Sequence, residues 1–206
     1  MSGRPAKIFV VDDDVTVCVA LSRLIRTAGL QVETFGTAAE CLSDDGLKEA
    51  DCLVLDVHLP DLSGLELQAK LTELGLELPI VFITGRGDIP MSVRAMKAGA
   101  LEFLTKPFDN QQLLDAIEQG IARCHSARLH EEKLIELQRR YQSLTPRERQ
   151  VFTLVVRGRL NKQIAGELGT AEKTVKIHRS QVMRKMDAAS LPDLVRMSEK
   201  LAPTLP

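Results

Sequence analysis

The chain has 206 residues, 44% of them apolar, which is enough for one large hydrophobic core or two small ones. Its four cysteines (Cys18, Cys41, Cys52, Cys124) are scattered without a C-x-x-C pair, and no apolar run nears the roughly 20 residues of a bilayer span. A disulfide scaffold, a zinc knuckle and a membrane protein are therefore excluded as expectations, and a soluble cytoplasmic protein is expected. The net charge of −1 hides a gradient: residues 1–120 carry −9, residues 121–144 +2 and residues 145–206 +6. An acidic front and a basic tail point to two functions, the second of which meets a polyanion.

The first 120 residues alternate between short apolar runs and helical patterns. Strands are expected at 8–11, 31–35 (the weakest signal), 53–55, 80–83 and 101–104. Helices are expected at 15–28, 38–42, 65–74, 91–98 and from 111 onward. This spacing predicts a parallel sheet covered by helices on both faces. From 113 to 141 there is no proline, and Gly120 is the main helix-weak residue. Leu134, Leu137, Tyr141 and Leu144 form a short 3-4-3 stripe, which fits either pairing with a second chain or packing on the same chain. Beyond Ser143 the pattern is all helical. Thr145 suits an N-cap and Pro146 a first-turn position, opening a helix to about 157. Further helices are expected at 161–168, 172–186 and 192–201, and the short Gly-containing turn between the first two of these fits a helix-turn-helix.

The acidic residues of the front half follow the strands. Asp12, Asp13 and Asp14 come directly after the first strand and Asp56 after the third, while Thr84 closes the fourth and Lys106 the fifth. In open parallel sheets ligands bind at the carboxyl ends of the strands. Clustered carboxylates repel and need a proton or a cation. Magnesium suits such a set, since it takes one or two carboxylates and keeps positions for water and phosphate oxygens. Lysine supplies a charge for phosphate and threonine a hydroxyl.

Val10-Val11-Asp12-Asp13, Leu53-Val54-Leu55-Asp56 with Pro60 and Gly64, Ile83-Thr84-Gly85, and Phe103-Leu104-Thr105-Lys106-Pro107-Phe108 resemble the receiver domain of response regulators over residues 6–122. The resemblance implies a flavodoxin-like (βα)5 fold with Asp56 as phosphoacceptor. It implies that Asp12, Asp13, Asp56 and the carbonyl of His58 hold Mg2+, and that Thr84 and Lys106 contact the phosphoryl group. Phe103 matches the aromatic switch position, and the Lys106–Pro107 bond is expected to be cis. His58 and Arg86 occupy positions that tune phosphoryl lifetime in this family.

Asp12-Asp13-Asp14-Val15-Thr16 also fits D-x-D-x-T, the nucleophile motif of haloacid-dehalogenase-type phosphatases. That reading makes Asp12 the nucleophile and Asp14 the general acid. It leaves Asp56 and the loop behind it unexplained, and the sequence after Lys106 turns helical where those enzymes carry a further acidic pair.

In the tail, Leu144-Thr145-Pro146-Arg147-Glu148-Arg149, Asn161-Lys162-Gln163-Ile164-Ala165 and Lys173-Thr174-Val175-Lys176-Ile177-His178-Arg179 resemble the LuxR-type helix-turn-helix. With the receiver, this resembles the NarL/FixJ family, nearest its FixJ branch. Val175, His178, Val182 and Met186 form an inward face by helical spacing. Lys173, Lys176, Ser180 and Arg184 lie outward, with Arg179 further round. The resemblance places Lys176, Ile177 and Ser180 at base edges. Lys162, Lys173, Thr174 and Arg179 are phosphate candidates. Thr170-Ala171 departs from the family, which usually has an apolar residue and then a serine cap.

The expected organisation is a receiver (1–122), a helical linker (123–142) and an all-α four-helix helix-turn-helix domain (143–206). The expected function is a two-component response regulator, not an enzyme acting on foreign substrates. A sensor histidine kinase phosphorylates Asp56, the protein forms a homodimer, and it binds double-stranded DNA to regulate transcription, with RNA polymerase as a further partner. An alternative is constitutive DNA binding through the linker helix.

Overall fold

A computed structural model describes residues 4–85 and 89–201. The chain divides into two compact units, Met1–Ala127 and Arg128–Pro206. Among the described residues no helix is long and apolar enough to cross a membrane.

The first unit runs β1 (Lys7–Val11), α1 (Val15–Thr27), β2 (Gln31–Phe35), α2 (Ala38–Ser43), a short 3-10 turn (Asp45–Glu49), β3 (Cys52–Asp56), α3 (Gly64–Glu73), β4 (Ile80–Thr84), α4 (Ile89–Lys97), β5 (Glu102–Thr105) and then α5 (Asn110–Gln142). The strands pair in parallel in the order β2-β1-β3-β4-β5. β3 and β4 are buried throughout, and β1 is buried from Ile8 on, which is why they read as apolar runs. Alternation sends Phe9, Val11, Leu53, Leu55 and Phe82 to the face covered by α2, α3 and α4. Ile8, Val10, Val54, Val81 and Ile83 face α1 and α5. β2 is an edge strand with only Val32 fully buried, so its sequence signal is weak.

Two glycines are fixed by close approach of other elements. A Cβ on Gly64 would be driven into the carbonyl oxygen of Asp56, so only glycine lets α3 start this close to the end of β3. A Cβ on Gly120 would lie 2.8 Å from Cys52 Sγ, which explains a helix-weak residue inside α5. Helix starts are capped locally. Asp14 accepts from the Thr16 N–H at α1, and Ser63 forms a capping box with Glu66 at α3.

The second unit holds the last turns of α5 with α6 (Pro146–Val156), α7 (Asn161–Glu167), α8 (Glu172–Met186) and α9 (Leu191–Leu201). Thr145 caps α6 through a capping box with Glu148. Leu137 and Leu144 are buried in this unit's own core with Val151, Phe152, Val175 and Val182, and Tyr141 packs against them. The Tyr141 ring meets Phe152 edge-on, with centroids 5.3 Å apart. Three members of the apolar stripe are thus used inside the chain, and Leu134 is half-buried. Arg140 caps the far end of α8, donating to the Met186 carbonyl (3.3 Å) and the Asp187 carboxylate (3.1 Å).

Candidate functional site

The sheet register lines up the strand ends. Val11 is level with Leu55, Asp56 with Ile83, and Thr84 with Thr105. The residues at or just beyond these ends, Asp12, Asp56, Thr84 and Lys106, therefore emerge on one edge, where strand order reverses about β1. The Lys106 ammonium joins two strands by donating to Asp12 Oδ2 (2.5 Å) and Asp56 Oδ1 (3.0 Å). Both carboxylates are buried, at 1% and 5% exposure, and Thr84 is fully buried. The other oxygen of Asp56 accepts the His58 N–H at 2.8 Å. The second Asp12 oxygen accepts the Asp14 N–H at 3.0 Å.

Burial pushes the Asp12 carboxyl above its usual 3.8; the bonds from Lys106 and the Asp14 N–H oppose this without prevailing. Burial also pulls the Lys106 ammonium down, but its bonds to Asp12 and Asp56 outweigh that and leave it above 10.5. One ammonium thus serves two buried carboxylates, and the exposed Asp13 adds a third negative group after β1. Among the described residues no three Asp, Glu, His or Cys side chains converge as a ready-made metal cage. A cage is not what magnesium requires: it keeps several waters and takes one or two carboxylates. The oxygen-only donors and their uncompensated charge fit that ion.

The Lys106–Pro107 bond is cis. Phe103 is half-buried on the α3/α4 side of the sheet, its ring 6.1 Å from that of Phe82. The His58 ring is exposed, with Nδ1 3.4 Å from Thr84 Oγ1. Arg86 lies outside the described residues. The D-x-D-x-T reading makes Asp14 the general acid, and its surroundings do not favour that role. Asp14 caps α1, and the Thr16 N–H and hydroxyl hold its carboxyl below 3.8, the reverse of what a proton donor needs.

In the second unit α7 and α8 are joined by a turn in which Gly169 takes a left-handed φ of +60°. Val175, Val182 and Met186 of α8 are buried and His178 is half-buried. Lys173, Lys176, Ile177 and Ser180 are exposed, Ile177 at 54%. Such an exposed β-branched side chain suits contact with a thymine methyl. Lys162 is exposed on α7, Thr174 is half-buried, and Lys176 lies 3.7 Å from Glu172 one turn earlier. No side chain caps the start of α8, where Ala171 stands. Arg179 is half-buried rather than outward, and its Nη1 donates to Asn161 Oδ1 at 3.1 Å.

Three polar residues of consequence had no visible signal in the sequence. Asp51, fully buried below β3, accepts the Lys7 N–H at 2.8 Å. Gln68 of α3 donates to the Ala98 carbonyl at the end of α4 (3.1 Å). Asn161 read only as part of a motif. Each is defined by a partner 18 or more positions away.

Residues 8–118 match the family model described as response regulator receiver domain, and residues 142–198 match that of bacterial regulatory proteins, luxR family. The chain is 48% identical over 205 residues to response regulator protein TodT of Pseudomonas putida, covering all of this chain and 90% of that one. It is 50% identical over 200 residues to nodulation protein W of Bradyrhizobium diazoefficiens, covering 97% and 88%. The solved structure of response regulator StyR superposes with a TM-score of 0.85 at 52% identity, over 96% of this chain and 100% of that one. With both halves matched and the strand-end residues in place, the chain belongs to the NarL/FixJ-type response regulators, two-component transcription regulators that join a receiver domain to a LuxR-type helix-turn-helix.

Proposed function

We propose that Asp56 accepts a phosphoryl group from a sensor histidine kinase and that this mark controls DNA binding by the second unit. The observation that carries this is the Lys106 ammonium bonded to both Asp12 and Asp56 at the strand ends. An Asp56 oxygen attacks phosphorus, the phosphorus–nitrogen bond of the donor phosphohistidine breaks, and an acyl phosphate remains. Lys106 stays paired with the new phosphoryl oxygens, and the Thr84 hydroxyl donates to one of them. Asp12, Asp13, Asp56 and the His58 carbonyl would hold Mg2+, which supplies charge neutralisation at the phosphoryl oxygens. As Thr84 turns toward the phosphoryl group, Phe103 moves inward, and the α4–β5 surface becomes the pairing face of a homodimer. The cis Lys106–Pro107 bond lies in the loop that carries this lysine.

The division of labour follows residues 1–122 as receiver, 123–142 as linker and 143–206 as output. On DNA, Lys176, Ile177 and Ser180 face base edges, while Lys162, Lys173, Thr174 and Arg179 meet phosphates. Two paired output domains grip two half-sites that one would hold weakly. The protein works in the cytoplasm, with RNA polymerase as its downstream partner, and its only chemistry is on its own aspartate. The His58 ring, set against Thr84, and Arg86 tune how long the acyl phosphate lasts.

Intact-mass analysis after incubation with Mg2+ and acetyl phosphate tests the assignment. One phosphoryl group is expected on the wild type and none on Asp56→Asn; equal labelling of both would overturn it. Sedimentation velocity with Mg2+ and beryllofluoride tests the switch, with a monomer-to-dimer shift expected only where Asp56 is intact. Unchanged decay of the label in His58→Ala and Arg86→Ala would remove both from the mechanism.

A further inference from the structure

Arg179 stands apart from the exposed cations of α8, Lys173, Lys176 and Arg184. Counting about 100° per residue from the buried Val175, Ile177 lies at about 200° and Ser180 at about 140°, facing away from the core, whereas Arg179 lies at about 40°. It is accordingly half-buried, on the flank of α8 that meets the start of α7. The residue it meets there is Asn161, a neutral amide, so the guanidinium keeps its whole charge while its position is fixed. A guanidinium has five N–H donors in a rigid fork, and the bond to Asn161 uses one of them. Lys162, the next residue of α7, is exposed.

We propose that Asn161 is a positioning residue for DNA: it holds the Arg179 fork so that the remaining N–H groups meet a backbone phosphate alongside the one taken by Lys162. This rests on the DNA-binding reading above. A free arginine must be ordered when it grips a phosphate; an arginine already held by Asn161 has lost that freedom on folding, which leaves more of the contact energy for binding. Phosphate contacts set register without reading sequence, so the pair fixes how α8 is presented and leaves the choice of bases to Lys176, Ile177 and Ser180.

The test is binding of the full chain to a fluorescein-labelled mixed-sequence duplex across a salt series, a probe that reports phosphate contacts alone. Arg179→Ala should weaken binding by about five- to ten-fold and make the slope of log affinity against log salt shallower by about 1. Asn161→Ala should reproduce both effects although it removes no charge, and the double variant should be little worse than either single one. Asn161→Ser, whose shorter side chain suits a helix start but not the reach to Arg179, should behave like Asn161→Ala and guards against a folding defect. A wild-type slope in both Asn161 variants, with Arg179→Ala shallow, would overturn the positioning role and leave Arg179 as an independent contact. A wild-type slope in Arg179→Ala would make the pair a strut between helices and overturn the proposal. If the wild type itself fails to bind the duplex, the DNA-binding reading falls with it.

Discussion

In the receiver unit Lys106 is bonded to two buried carboxylates, Asp12 and Asp56; in the C-terminal unit Lys185 is bonded to one, Glu148, at 2.7 Å. The carboxyls respond in opposite directions. Burial drives Asp12 up, and its lysine does not fully compensate. Burial drives Glu148 up as well, but the Lys185 bond and the Thr145 N–H and hydroxyl prevail, and its carboxyl ends below the usual 4.5. Glu148 has a one-to-one cation and closes the capping box of α6, so its charge is fully provided for. Asp12 shares its cation with Asp56 and is charged at a cost. The satisfied pair is a fastening, whereas the under-compensated one carries the charge imbalance on which the proposed Mg2+ and phosphoryl site rests.

Glu148→Ala gives the largest expected effect. It removes a nearly buried ion-pair partner and a capping-box residue together, and should destabilise the C-terminal unit by about 2–4 kcal/mol in urea unfolding. A loss below that of an ordinary surface substitution would erase the contrast. Magnesium comes next. At about one hundred times its dissociation constant it should stabilise the wild type by about 2.7 kcal/mol, with Asp12→Asn insensitive and Glu148→Ala as responsive as the wild type. Equal responses in all three proteins would mean that the receiver carboxylates do not hold the ion. Asp12→Asn should itself stabilise the receiver in metal-free buffer by about 1 kcal/mol, since it keeps the shape and removes a buried charge. A destabilised variant in that buffer would show that Lys106 already satisfies Asp12.

Acid titration sharpens the comparison with the smallest expected effect. A depressed carboxyl lends stability above its unfolded value and loses it as pH falls through its folded value. The contribution of Glu148 should thus be complete at neutral pH and fade below about 4.5. Lys185→Met should flatten that part of the stability curve. An unchanged curve would assign the acid sensitivity to other carboxylates.

Much of this was legible in the sequence because the chemistry sits at strand ends. β1, β3 and β4 announce themselves as apolar runs, and the polar residue that follows each is thereby placed at the sheet edge without knowledge of the packing. The recognition helix was legible for a similar reason, since Val175, Val182 and Met186 mark its inner face by spacing alone. Arg179 was harder to place: helical spacing set it outward, further round than Lys176 and Ser180, whereas it is half-buried against Asn161, a partner that spacing along one helix cannot reveal. The stripe of Leu137, Tyr141 and Leu144 fitted two partners equally well, because spacing describes a face and not what covers it. Asp51 and Gln68 were invisible, as nothing local distinguishes a carboxylate that anchors a neighbouring strand or an amide that caps another helix.

That the end of α5 lends Leu137 and Tyr141 to the C-terminal core has a consequence for modular exchange between regulators. An output module cut at Thr145, where the capping motif makes the boundary look natural, would leave behind the Tyr141 ring that meets Phe152, the Leu137 side chain and the Arg140 cap on α8. The transferable piece begins near Arg128. A fusion joined there keeps Leu137 and Tyr141 with the core they pack against.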